Sequence, residues 1–532
     1  MTTTEPQTNQ NALGQVDRRH RSLVPGGLVA RFAAPTDVSW LAFLRVSFGL
    51  VIVWEVCRYF ANGWIDRYYL EPTFFFTYWP FDFVKPWVGV GMVWHFVALG
   101  AAGLLVATGF LYRAAAPALF VLFAYVFLLD KANYLNHFYL VMIIAFLLAC
   151  LPAHRSTSLD ALRSPRIRSE NVPVWMHWLI RFQVGVPYFY AGIAKLDPDW
   201  LGGEPLRIWL ADQAAVPLIG PLLVEEPMLQ ALAVGSLVFD LAVVPLLLYR
   251  RTRPFAFALA IGFHLVNSRL FSIGIFPWLM ILLTTVFLPA DWPKRLIAEL
   301  RSATGYRVFV AAGLGFGIGS VAAGGFSVIH GMATAIGAAV VTLDFVEQRR
   351  AVVSSSRGLS GGRPSGGNPL LNGIGAYRAV PLLLLGIWIT LQVLVPLRHL
   401  AIPGNAHWTE EGHRFSWHMM ARTKDGEARF VVTDPPTGTE WEVDPADWLT
   451  SRQLDEFATR PDMILQFAQY LEERWLAAGH NDVEVRVINS VSLNGRLAQL
   501  LIDPTIDLTT QARWALPPAP WILPLAESPA TG

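Results

Sequence analysis

From position 38 onward the chain is written in long apolar stretches separated by short polar ones. The stretches fall at Leu41–Phe60, Met92–Leu111, Ala114–Leu129, Phe138–Pro152, Val174–Ala194, Met228–Leu248, Pro254–Val266, Leu270–Pro289, Val308–Gly324, Phe326–Phe345 and Val380–Val395. A helix needs about 20 apolar residues to cross the hydrocarbon core, so the longer runs predict spanning helices and the shorter ones tilted or half-buried elements. Pro254–Val266 is the weakest of them. The pattern predicts a polytopic α-helical membrane protein with about 9–11 transmembrane helices.

The polar stretches test this reading, because short cytoplasmic loops carry the excess of Lys and Arg. With the tail bearing Arg18, Arg19 and Arg21 inside, every alternate loop is basic. The set runs through Arg113; Arg155, Arg163, Arg166 and Arg168; Arg250, Arg251 and Arg253; Lys294, Arg295, Arg301 and Arg307; and Arg349, Arg350, Arg357, Arg363 and Arg378. The intervening segments 61–91, 130–136 and 195–227, and the junction near Asn267, are aromatic and mixed in charge. They are expected outside, with the N-terminus cytoplasmic.

Residues 1–36 are polar, lack an apolar segment with a cleavage site, and are expected to form a disordered cytoplasmic tail without a signal peptide. A membrane domain over 37–300 follows, then a further helix pair over 301–350, a Gly/Ser-rich linker over 351–378 and a last helix over 379–396. Beyond Pro396 the periodicity changes. RFVVTDPPTGTEWEV predicts two strands around a PPTG turn, Asp455–Ala478 an amphipathic helix, and VEVRVINSVSL with Asn494-Gly495 and LAQLLID a second hairpin. Residues 397–532 are therefore expected to form an external α+β, β-rich domain.

Composition agrees with the pattern: 54% of the 532 residues are hydrophobic and only 15% charged, against about 25% charged in soluble domains. A net charge of +1, with no basic stripe, excludes a nucleic-acid partner. The 12 His are scattered, with no HExxH or CxxC, so no metal site is expected; GxSxG, P-loop and dinucleotide fingerprints are also missing. Cys57 and Cys150 are placed near opposite ends of their helices, too far apart to pair, and read as small packing residues.

The candidate chemistry gathers on the outer side. Lys195 ends an apolar run in YFYAGIAKLDPDWL. It either snorkels to the interface or sits in a partly dry pocket, where a lysine becomes a usable base. Asp130, Lys131, Asn133, Asn136 and His137 flank a second loop, and His264, Asn267, Ser268 and Arg269 a third. Ionisable groups at membrane depth are costly, so their clustering points to a shared polar pocket.

FLLDKANYLNHFYL, YFYAGIAKLDPDW, FHLVNSRLFSIGIF and FSWHMM, in this order, closely resemble the vitamin K-dependent gamma-carboxylase family, whose membrane part is called the horizontally transferred transmembrane domain. The resemblance covers about Val38–Pro289 and resumes from Leu394 through DPTIDL and WALPPAPW, whereas Val308–Phe345 departs from the animal members.

The resemblance implies a membrane enzyme, a carbon-carbon lyase. In the family a lysine base deprotonates reduced vitamin K, a phylloquinol- or menaquinol-type hydroquinone, and O2 then converts the anion into a strong base. That base removes a γ-proton from a peptide glutamate, CO2 adds, and the quinone leaves as its epoxide. By motif, Lys195 takes the position of the base and His137 that of the histidine assisting anionic intermediates. Asn136, Asn267, Phe271, Ser272, Trp417, Met419 and Met420 are carried over to the quinone pocket, and His413 and Arg422 to the substrate. In SWHMM, His418 replaces an acidic residue of the animal SWDMM, Arg422 a histidine and His413 a tyrosine, which puts peptide specificity in question. The implied partners are a glutamate-containing peptide and membrane lipid, in the cell membrane of a bacterial-type member with the C-terminal domain extracytoplasmic. The alternative is a vitamin K or menaquinol epoxidase, or another quinone-linked membrane protein, without peptide carboxylation.

Overall fold

The computed structural model describes residues 31–215, 220–271, 273–300, 379–513 and 518–526. The expected tail before residue 31, the helix pair over 301–350 and the linker over 351–378 lie outside them. Nine helices follow the remaining apolar runs: α1 Ser39–Ala61, α2 Gly91–Thr108, α3 Tyr112–Leu129, α4 Asn136–Cys150, α5 Val174–Ala194, α6 Glu226–Leu248, α7 Arg253–Leu270, α8 Phe276–Thr284 and, at the end of the membrane part, α9 Ala379–Leu397. Five helices among the described residues are long and apolar enough to cross a membrane, or six if the bent segment Phe276–Leu300 counts as one span. The weak run is real helix: α7 extends to Leu270, while the run beginning at Leu270 becomes helical only at Phe276, leaving a loop that carries Gly274.

Small residues set the tightest crossings, as is usual where helix association in lipid depends on close packing. A Cβ on Gly49 would sit 2.5 Å from the carbonyl oxygen of Gly103, fixing α1 against α2. One on Gly192 would sit 2.6 Å from Leu241 Cδ2, so α5 meets α6 at the residue after Asp240.

The loops sort to two ends as the charges require. At the basic end Arg45, fully buried in α1, donates to the carbonyls of Ala153, Ser156 and Thr157, and Asp160 accepts from the backbone of Leu111 and Tyr112. Residues 35 and 36, expected in the tail, begin strand β1, Pro35–Asp37, which pairs antiparallel with β2, Asn171–Pro173. Cys57 and Cys150 are free and exposed, correcting their reading as packing residues.

The C-terminal domain sits on the other end. Its sheet has the order β4-β3-β5-β6, all antiparallel, with β3 Lys424–Asp434, β4 Thr439–Val443, β5 Glu484–Leu493 and β6 Gln499–Leu500. The alternation of buried and exposed residues along β5 turns one face toward α10, Ser451–Phe457, and α11, Pro461–Ala477. The single expected helix over 455–478 is two, because Pro461 cannot continue the first and instead opens the second.

Docking uses much of the polar cluster. Lys131 bonds Asp462 at 2.8 Å, Gln453 donates to Asp130 at 2.9 Å, and the Thr77 amide donates to Gln466. Arg496 grips Asp199 bidentately at 2.5 Å, with Asn494 adding a bond at 2.8 Å. Burial pushes the Asp130 carboxyl up to about 7 even though Ala132 and Gln453 donate to it. Burial also acts on Asp199, yet the bonds from Arg496 and Asn494 outweigh it and hold that carboxyl below its usual value.

Candidate active site

Lys195 caps the C-terminus of α5 and is buried, so it does not snorkel. Its Nζ donates to Asp240 Oδ2 at 2.6 Å and lies 5.0 Å from the Trp200 ring centroid. Asp240 stands in the middle of apolar α6 and was missed in the sequence, although a lone carboxylate at membrane depth is itself a signal. Trp200 is fixed by its indole N–H on the Ala233 carbonyl, and Trp209 and Phe271 complete an aromatic wall.

A second polar link lies inward. The Tyr188 hydroxyl bonds His264 Nε2 at 2.7 Å and Thr284 Oγ1 at 3.2 Å. The Phe276 ring lies 5.8 Å from that of His264 and 5.9 Å from that of His137. Lys195 stands at the C-terminal end of α5 and His137 in the first turn of α4. Asn136 accepts from the Tyr134 hydroxyl at 2.9 Å and donates to the His418 carbonyl at 3.5 Å, joining the histidine helix to the external segment. Asn267, half-buried, lies one turn beyond His264; Ser272 falls outside the described residues.

The FSWHMM segment enters the membrane body. Trp417 is buried at φ +60 and packs on Tyr139 at 4.9 Å, and Phe415 is held by its amide on the Tyr134 hydroxyl. Met419 and Met420 are half-buried beside it. Above, the rings of His399, His407 and His413 surround His418 at 4.5, 5.1 and 4.9 Å. Burial, reinforced by neighbouring histidines and Arg422, holds His413 and His418 far below the ordinary imidazole value. Arg422 pairs with buried Glu410 and donates to His413 Nε2 at 3.3 Å, so its guanidinium already has a carboxylate. Among the described residues no group of three His, Cys, Asp or Glu is placed to hold a metal ion.

The site suits a flat ring with polar edges. Its walls are aromatic, and the buried His264 Nδ1, His418 Nδ1 and Trp417 Nε1 have no partner among the described residues. Buried polar groups ordinarily find one, so three orphans around one end of the bundle fit a ligand with oxygen atoms.

The fold defines a polytopic membrane protein with a β-containing C-terminal domain docked on the end of the helices where buried Lys195 stands. Residues 33–292 match the family model of the HTTM domain, and residues 377–528 that of the vitamin K-dependent gamma-carboxylase lumenal domain. The chain belongs to the vitamin K-dependent gamma-carboxylase family. No solved structure matches it.

Proposed function

We propose that this protein is a vitamin K-dependent gamma-glutamyl carboxylase in which Lys195 is the base. The observation that carries the reading is the buried Lys195–Asp240 pair at the end of α5. An ammonium cannot accept a proton, but transfer along the 2.6 Å contact to Asp240 leaves a neutral amine beside a neutral acid. In a dry site that state avoids the desolvation of two charges. Lys195 Nζ would then accept a proton from the bound hydroquinone, and Asp240, left protonated, would pass its own proton to solvent, which restores the ion pair. His137 and Asn136 orient and polarise from α4, while Trp417, Phe271, Met419 and Met420 exclude water. A reduced naphthoquinone, when bound, supplies with O2 the strong base for the glutamate γ-carbon, where CO2 adds. With the basic loops in the cytoplasm, the site and the external domain face the opposite compartment.

The occupied Arg422 favours a second reading, quinone epoxidation without peptide carboxylation, because the expected carboxylate clamp is engaged with Glu410. One assay separates the two. Purified protein is incubated with reduced vitamin K, O2, labelled bicarbonate and a glutamate-rich peptide, and epoxide and peptide label are read separately. Both products support carboxylation; epoxide without label leaves the second reading; neither overturns both.

A further inference from the structure

The loop between α1 and α2 has two faces. Its first part clamps the external domain: Thr73 Oγ1 donates to the Trp448 carbonyl at 3.4 Å, the Phe74 ring lies 4.5 Å from that of Tyr470, and the Thr77 amide donates to Gln466 at 2.9 Å. Its second part, WPFDFVKPWVGV over residues 79–90, turns apolar side chains outward. Val88 is 95% exposed, Phe83 76% and Val90 71%, and Trp79, Phe81 and Trp87 are exposed with them. Asp82 and Lys85 are the only charged residues from Trp79 to Trp94.

This second part is anchored. The Tyr125 hydroxyl of α3 donates to the Lys85 carbonyl at 2.6 Å, and its ring lies 5.7 Å from that of Trp87. The Val84 amide donates to the Phe81 carbonyl at 2.9 Å, and Thr77 Oγ1 to Asp82 at 2.6 Å. Single exposed apolar residues are ordinary, but a run of them held in place marks a contact surface. What continues it shows what covers it. Val90 abuts α2, which is long and apolar enough to cross a membrane, and the exposed Trp94, Val97, Ala101 and Leu104 run down α2 as one stripe. In a spanning helix such a stripe faces lipid. Residues 79–90, however, form neither helix nor strand, and irregular backbone does not enter hydrocarbon, where its N–H and C=O groups would have no water. Tryptophans beside a lysine fit the headgroup level, where the rings are buried and the ammonium reaches phosphate.

We infer that residues 79–90 are a lipid-docking surface, inserted into the headgroup region of the leaflet on the side of the external domain. The partner is the lipid surface itself, and the insertion is independent of the reaction proposed above. Because residues 73–77 of the same loop grip the segment before α10 and the body of α11, the inserted part holds the external domain at a fixed height over the bilayer.

The test uses full-length protein in phosphatidylcholine vesicles, with Cys57 and Cys150 replaced by serine and an NBD fluorophore attached at Val88→Cys, at Phe83→Cys or, as a water-exposed control in the external domain, at Leu497→Cys. Interfacial apolar side chains lie about 5–10 Å into the headgroup boundary, out of reach of aqueous ions. Emission at positions 83 and 88 is therefore expected to shift to shorter wavelength than at 497 and to lose quenching by iodide. A lipid nitroxide near the headgroup end of the acyl chain is expected to quench both positions more strongly than one at the methyl end. Iodide quenching at 83 and 88 equal to that at 497 overturns the insertion. Stronger quenching by the deep nitroxide overturns the headgroup placement, and iodide protection that disappears when the protein is diluted in lipid assigns the surface to a second copy of the chain and overturns the lipid assignment.

Discussion

Lys195 Nζ and Asp240 Oδ2 stand 2.6 Å apart with their side chains 8% and 5% exposed, on two helices brought together at Gly192. Both charges are buried away from bulk solvent, so each depends on the other. The sequence separates them by an entire loop, and only the crossing of α5 and α6 makes them one unit.

Removing one member strands the other. Lys195→Met or Asp240→Leu alone is expected to cost about 3–5 kcal/mol, whereas the double substitution regains most of that loss, since an apolar pair of similar volume tolerates the site. Thermal melting of the four proteins in one detergent measures this. All three variants are expected to lack epoxidation. Additive losses in the double variant would show that the two side chains are not energetically coupled.

Much of this was legible beforehand. Apolar length gave eight of the nine helices closely, and the charge of the loops sorted them to two ends, because both depend on local composition. Motif resemblance singles out Lys195, His137 and Trp417. Asp240 is not among them, since its contact with Lys195 arises only where two separate helices meet at Gly192. The polar cluster was read as one pocket, but Asp130, Lys131 and Asp199 face the external domain and hold it in place. Nothing in their own sequence distinguishes docking from catalysis.

The histidine roof sets an acid limit. His407, His413 and His418 are held below the usual imidazole value first by burial, with Arg422 also opposing a further charge at each. The unfolded chain titrates near 6.5. Between that value and the depressed folded one it binds more protons than the native state, so stability is intact above about pH 6.5 and falls below it. Each such histidine contributes up to about 1.4 kcal/mol per pH unit in that window. Melting curves from pH 5 to 8 are expected to decline on the acid side, and His418→Gln to reduce the slope. A flat profile would mean that these rings are open to water.

Sidedness can be checked at exposed positions. Leu162, in the basic segment after α4, is 74% exposed, and Leu497, in the external domain, 86%. After Cys57 and Cys150 are replaced by serine, Leu497→Cys in intact cells is expected to react with membrane-impermeant maleimide and Leu162→Cys only with a permeant one. The reverse labelling would invert the orientation and place the site on the cytoplasmic side.

The grip of Arg496 on Asp199 ties the turn after β5 to the loop that begins at Lys195. The membrane helices carry Lys195, Asp240 and His137, so on the proposed reaction the oxidation of a small quinone would depend on them. A peptide must in addition be held by the external domain, with its γ-carbon within about 3–3.5 Å of the reacting base. Arg496 is 29% exposed, so its ion pair is partly screened, and its loss is expected to cost about 1–2 kcal/mol of positioning. Arg496→Ala is therefore expected to lower kcat/KM for peptide carboxylation about tenfold while changing epoxidation by less than about threefold. Arg496→Lys, which keeps the charge but not the fork, falls between. Parallel loss of both reactions in a variant that melts like wild type would show that the external domain supports the membrane core as a whole and has no separate part in presenting the peptide.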